Sequence, residues 1–292
     1  MGESVASGVT LIRAEWIVLV FLVPTFCGLV SLVLARFRTF HGEWAFIGLA
    51  ATLIISLISA YYALHGYVLT AWREHIYVDG LSALMEVLGS CMGVLIVIYS
   101  LKYIPSRIAD DPNVQRRMGV YYGLLLLFLG MMNWTCATND LVGLYVSLEF
   151  TTLATAFLVT FYWTRRSMEA GYKYLLLVTI GVLFALMGLS LIYCAAAGMP
   201  EMAGKRVLLL TELAPIAKKM PATVVLLANA LLVAGFGTKA GLVPFHAWLP
   251  DAHAEAPAPI SALLSGIVIK VGAYALARTV TIFAPQYPAV VI

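Results

Sequence analysis

Apolar runs of about twenty residues recur from one end of this chain to the other, each long enough to cross a hydrocarbon layer of about 30 Å as a helix. In lipid, every backbone N–H and C=O must find an internal partner, so runs of this length fold as helices. Only 11% of the 292 residues are charged, against roughly a quarter in a soluble domain. The chain is read as an all-α polytopic membrane protein.

About eight spans are expected, with boundaries loose by a few residues. The first four run from Trp16 to Ala35, Trp44 to Leu64, Asp79-Gly80 to Ile104, and Gly119 to Ala137. A polar loop with Trp72, Arg73, Glu74 and His75 precedes the third. Thr138-Asn139-Asp140 is a tight connection in which Asn139 or Asp140 caps the fifth span, which ends near Trp163. The sixth runs from Gly171 to Ala197, and a longer connection from Gly198 to Pro221 leads to a seventh that starts near Ala222. An eighth covers Pro259 to Ala277, and residues from Pro285 onward begin a further span. The organisation expected is residues 1–117 for helices one to three, 118–278 for a five-helix unit, and 279–292 for the start of an incomplete helix.

A net charge of +3, without a basic block, offers no nucleic-acid surface. Cys27, Cys91, Cys136 and Cys194 all sit in apolar runs without a C-x-x-C pair, so no metal or redox centre is expected in this chain. The N-terminus lacks the basic start of a signal peptide, and the first span is expected to be retained. Alternate loops collect Arg36, Arg38, Lys102, Arg107, Arg116, Arg117, Arg165 and Arg166. That asymmetry places the N-terminus outside, although Lys205, Arg206, Lys218 and Lys219 count against it.

Ionisable residues inside the spans are the functional signal, because each costs about 2.5–3.5 kcal/mol at membrane depth on insertion scales. Glu149 lies roughly 13 Å into the fifth span, either as a protonated acid bonded to a neighbouring helix or as a titratable site. The seventh span is expected to break between Gly235 and Pro244, with Gly237, Gly241 and Lys239 at the break. Lys270 lies in the eighth span, and Lys173 near the start of the sixth, where snorkelling competes with function. His246 and His253 flank the WLPDA segment holding Asp251, as relay or as structural hydrogen bonders; their spacing is poor for a metal. Glu86, in the third span, has no assigned partner and is read as readily at an interface as in a role. For a glutamate and a lysine about 5 Å apart, Coulomb's law at an effective dielectric near 20 gives about 3 kcal/mol, so changing one such pairing can load and unload a proton.

FGTKAGLVPFHAWLPDAHAEAPAPISALLSGIVIKVGAYALAR, together with VDGLSAL, LVGLYVSLEF and AGYKYLLL, resembles one family. It is that of the antiporter-like membrane subunits of respiratory complex I, energy-converting membrane-bound hydrogenases and formate hydrogenlyases, and multisubunit cation/proton antiporters. The resemblance covers most of the chain. It implies that Glu149 is the buried glutamate of the fifth helix, Lys239 its partner on a discontinuous seventh helix, Lys270 the central-axis lysine and Lys173 the sixth-helix lysine. His246 and His253 fall in the matching loop. Members carry two inverted five-helix units, and helices four to eight here look like the first. The resemblance implies a proton-translocating subunit, with Na⁺ linkage as a variant, of a redox-driven complex in an energy-transducing membrane. Other membrane subunits, one supplying the second half, and peripheral redox subunits holding the redox cofactors are the expected partners. A subunit of a secondary cation/proton antiporter and a non-conducting structural subunit are the alternatives.

Overall fold

A computed structural model describes residues 5–6, 9–36, 41–204 and 206–283. Among these, eight helices are long and apolar enough to cross a membrane: Glu15–Val33, His41–Leu64, Gly80–Arg107, Val114–Ala137, Leu141–Tyr162, Arg165–Ala197, Ala222–Lys239 and Ala258–Ile282. They are numbered one to eight in that order. The further span expected from Pro285 lies outside the described residues.

The fourth helix sits at the centre, packed on the first, second, third and fifth, while the sixth, seventh and eighth pack in sequence beside the fifth. Hydropathy alone would not place it there, since its window is the least apolar of the eight yet the most buried. The reason is that a lipid tail is as apolar as a leucine, so burial between membrane helices selects small and hydrogen-bonding residues instead. Tyr121, Tyr122, Asn133 and Thr135 of this helix point inward, and Ser100 meets the Tyr121 hydroxyl at 2.8 Å. Large side chains such as Phe26, Ile47, Leu84 and Met187 face outward, where lipid solvates them.

Caps set several helix starts. Asp140, not Asn139, caps the fifth helix and accepts from the N–H groups of Val142 and Gly143. Asn139 instead ties the same corner to the long sixth connection, donating to Glu74 O and Thr211 Oγ1. Thr164 caps the sixth helix through Ser167 N, so Arg165 and Arg166 form its first turn and not a loop. Lys173 is therefore two turns into a helix that starts earlier than Gly171.

The expected polar loop around Trp72 is the turn of a small sheet that helical periodicity did not reveal. Strand Val9–Arg13 runs parallel to Tyr67–Ala71, which pairs antiparallel with Ile76–Val78, and Val5–Ala6 adds an edge. Trp72, Arg73 and Glu74 all have positive φ in the connecting turn. Strands this short carry too few alternating positions to announce themselves beside long apolar helices. The sheet caps one end of the bundle, and the connection Gly198–Pro221 lies against it. The opposite end carries Arg107, Arg116, Arg117, Arg165 and Arg166.

One ion pair joins the third helix to the eighth. Asp79 caps the third helix through Ser82 N at 2.9 Å. The Arg278 guanidinium grips both Asp79 oxygens, one bond measuring 2.7 Å, and donates to Ser82 Oγ at 2.7 Å. Burial works against ionisation of Asp79, but Arg278 and Ser82 outweigh it and hold the carboxyl below the usual carboxylate range. A carboxylate held low stabilises the fold above its unfolded value, near 3.9, and loses that contribution as pH falls through the folded one. Asp79→Asn is therefore expected to cost about 3 kcal/mol by leaving Arg278 partly buried without its counter-charge. Thermal melting of the purified protein checks this, because the variant should melt lower at neutral pH and lose part of the acid sensitivity below about pH 4.

Candidate proton-handling site

The fifth, sixth and seventh helices converge on Lys239, the last residue of the seventh. Gly235 makes that convergence possible: a Cβ there would lie 2.5 Å from Ala185 N and 2.8 Å from Gly181 O on the sixth helix. Gly235 and Gly237 are thus inside an intact helix, and the break starts only at Ala240. Gly241 then takes a left-handed φ of +68°, a conformation glycine adopts without Cβ strain. Pro244 follows in the non-helical connection to the short helix Leu249–Glu255. The freed end of the seventh helix is closed by Trp248, whose indole donates to Thr238 O at 2.8 Å and packs edge-on against Tyr174.

Lys239 is fully buried at 0% exposure. Its ammonium donates to Thr152 Oγ1 at 2.6 Å and Leu148 O at 3.2 Å, both on the fifth helix. These two acceptors bracket Glu149, one residue before and three after it, so cation and acid share one turn of helix. Glu149 Oε1 accepts from Thr179 Oγ1 of the sixth helix at 2.8 Å, while its Oε2 is buried without a hydrogen-bond partner. Among the described residues no ion-pair contact joins Lys239 to Glu149; the ammonium is held by neutral oxygens beside the carboxyl. A buried cation on two neutral acceptors next to a half-satisfied acid is poised to change partner.

The other expected residues lie elsewhere. Lys173 does not reach this pair; it is half exposed and bridges Glu169 at 2.9 Å and Asp251 at 3.0 Å. Asp251 thereby fastens the short helix to the sixth. His246 is exposed in the connection. His253 contacts Ser261 Oγ at 2.9 Å and Ser265 Oγ at 3.5 Å, and burial pushes its imidazole pKa down, which favours the neutral ring. Lys270 is exposed among the described residues and donates to Ser265 O at 2.7 Å. Ser265 lies in a π-helical turn, Leu264–Val268, that interrupts the eighth helix. It touches His253 through its hydroxyl and Lys270 through its carbonyl. Glu86, read as readily at an interface, is instead fully enclosed. Thr152, Thr179, Trp248 and Ser265 were not foreseen, because hydroxyls within apolar helices read as ordinary packing until the facing helix is known. No cluster of three or more His, Cys, Asp or Glu with metal-site geometry occurs among the described residues.

A bundle of apolar helices that encloses a lysine beside an intramembrane glutamate defines an integral membrane protein holding charge at depth. The chain belongs to the NADH:quinone oxidoreductase/Mrp antiporter transmembrane family, which matches residues 138–291. It is 35% identical over 202 residues to a hydrogenase-4 component F homolog of Methylacidiphilum infernorum, covering 69% of this chain and 42% of that one. It is 37% identical over 207 residues to NADH-quinone oxidoreductase subunit N of Desulforudis audaxviator, covering 71% and 38%. With Na(+)/H(+) antiporter subunit A1 of Staphylococcus haemolyticus it shares 31% over 276 residues, 90% of this chain and 32% of that one. The chain thus spans less than half the length of these curated relatives. Among solved structures it is similar to a chain of the archaeal membrane-bound sulfane sulfur reductase, with a TM-score of 0.80 and 25% identity over 94% of this chain and 55% of that one. A chain of the Mrp complex from Dietzia sp. DQ12-45-1b shares the fold at a TM-score of 0.74, with 21% identity, 92% of this chain and 49% of that one covered. The chain is an antiporter-like integral membrane protein of this family.

Proposed function

We propose that the chain translocates protons as a subunit of a redox-driven membrane complex, with Glu149 and Lys239 as the loading site. The observation that carries this reading is the enclosure of Lys239 on two neutral oxygens beside a carboxyl with one unpartnered oxygen. Paired at a separation near 5 Å, the ammonium and the Glu149 carboxylate interact by about 3 kcal/mol relative to separated charges, and moving the ammonium between Thr152 and Glu149 changes part of that energy. Driving one charge against 100 mV requires about 2.3 kcal/mol, the same order as the full pair energy. Lys270, with Ser265 and His253, continues the polar line on the exposed side of the eighth helix. That side needs protein or confined water over it, which a further membrane unit with its own ionisable residues would supply. Redox cofactors belong to partner subunits in this reading, and the basic end of the bundle faces inward with the N-terminus outside.

The relatives' names also fit a secondary antiporter, in which ion gradients alone drive the same site. Sealed vesicles holding the native complex separate the two. The redox reading expects proton movement on addition of the electron donor, collapsed by a protonophore and independent of a Na⁺ gradient. Proton movement driven only by a Na⁺ gradient would sink it in favour of the antiporter, and none under either drive would leave a structural subunit.

A further inference from the structure

Glu86 lies six residues into the third helix, roughly 9 Å from its sheet end, and is 0% exposed with both carboxyl oxygens lacking a hydrogen-bond partner. The function proposed above makes no use of it. Three further buried polar atoms without partners belong to the same part of the bundle. Ser59 Oγ approaches from the second helix without completing a bond to the carboxyl. Ser90 Oγ follows one turn along the third helix, and Asn133 Oδ1 comes from the fourth; each is buried and likewise without a partner. The orientation of Asn133 is set by its amide nitrogen, which donates to Val20 O at 3.0 Å. Its oxygen lies 3.8 Å from where a Cβ on Gly89 would be, on the helical face shared with Glu86.

The ionisable groups that act on Glu86 are Asp79 at the start of the third helix and Cys136 of the fourth; Tyr274 and Arg278 of the eighth helix stand beyond them, against Ser82, Cys136 and Asp79. Arg278 is committed to Asp79, so it does not serve as the counter-charge for Glu86. The Ser59 and Ser90 hydroxyls can donate as well as accept, but neither bonds the carboxyl, so a carboxylate ion here would be a buried charge with neither counter-charge nor hydrogen bond. A carboxylic acid removes the uncompensated charge and adds an O–H donor that the Ser59, Ser90 and Asn133 oxygens are able to accept from. Ser82 precedes Glu86 by one turn on the same face, as Ser90 follows it. The Ser82 hydroxyl meets the Tyr274 hydroxyl at 3.0 Å, and Tyr274 donates on to Cys136 O at 2.7 Å. This hydroxyl pair lies between Glu86 and the Asp79–Arg278 clamp at the sheet end.

We propose that Glu86 is a second proton-binding site, holding its proton at neutral pH in a pocket built by helices two, three and four, and exchanging it with the sheet end past Ser82 and Tyr274. The chain then carries two protonation sites, one in the first three helices and one at Glu149 and Lys239.

Infrared difference spectroscopy on the native complex tests this at neutral pH. Wild type minus Glu86→Gln should show the C=O band of a protonated carboxyl, and the band should shift when the folded complex is moved into D2O. Glu86→Leu, which has no polar atom to misplace, should lose the same band. Lys239→Ala should keep it, so failure of the Glu149–Lys239 reading leaves this result untouched. Ser82→Ala should slow the D2O shift. Absence of the band in wild type would show an ionised carboxylate and overturn the proposal. A band that never shifts in the folded complex would show a sealed structural acid, and a shift unaffected by Ser82→Ala would remove the exchange route; either overturns it.

Discussion

Lys239→Ala is expected to reduce coupled proton movement in sealed vesicles by about tenfold or more, the factor that accompanies a loss of about 1.4 kcal/mol of driving interaction. The ammonium is held on either side of Glu149 by Leu148 and Thr152, and it is wholly enclosed. Removing it takes away the partner whose approach would hold the glutamate ionised. Lys239→Met keeps most of the volume and should lose transport equally, which separates charge from packing. Lys239→Arg should not rescue transport, because a guanidinium does not release its proton in proteins and is a planar fork too wide for a site fitted to a single ammonium. Assembly is expected to survive, since Trp248 and Gly235, not Lys239, secure the end of the seventh helix. Transport at the wild-type rate in the alanine variant, with the complex intact, would remove Lys239 from the mechanism.

Glu149→Gln is the second large effect. The Gln carbonyl oxygen can still accept from Thr179, which bonds Glu149 Oε1 at 2.8 Å in the wild type. The new amide nitrogen falls where Oε2 lies buried and unpartnered. Shape and one hydrogen bond are kept while the titratable charge is lost, so folding should change little and proton movement should fall by about tenfold or more, as for Lys239. In the redox-driven reading, the partner's redox reaction lies outside this chain and should fall less. Donor oxidation and vesicle acidification measured on the same preparation read both quantities. Undiminished acidification would return Glu149 to the structural alternative, a protonated acid bonded to the sixth helix.

Membrane helices, their number among the described residues, and the place of Glu149 along its helix were legible in the sequence, because the bilayer demands long apolar runs and makes every interruption costly. The ionisable residues that interrupt those runs pointed to a path for protons or cations, and the motifs around them, by resemblance, pointed to the class of protein. The partners of those residues were not. Thr152 lies 87 residues from Lys239, Thr179 lies 30 from Glu149, and Arg278 lies 199 from Asp79. Which residues meet across such separations depends on the rotation of each helix about its own axis. Close packing sets that rotation at contacts such as Gly235 on Gly181 and Ala185, and hydropathy is nearly blind to it once every face is apolar. The same blindness left Glu86 ambiguous and Lys173 open between snorkelling and function, since depth along a helix says nothing of direction around it. Sequence determined that charge sits within the membrane; only the tertiary structure decided that Lys239 and Glu86 are sealed in protein while Lys173 and Lys270 face outward, because enclosure belongs to several helices together and to none of them alone.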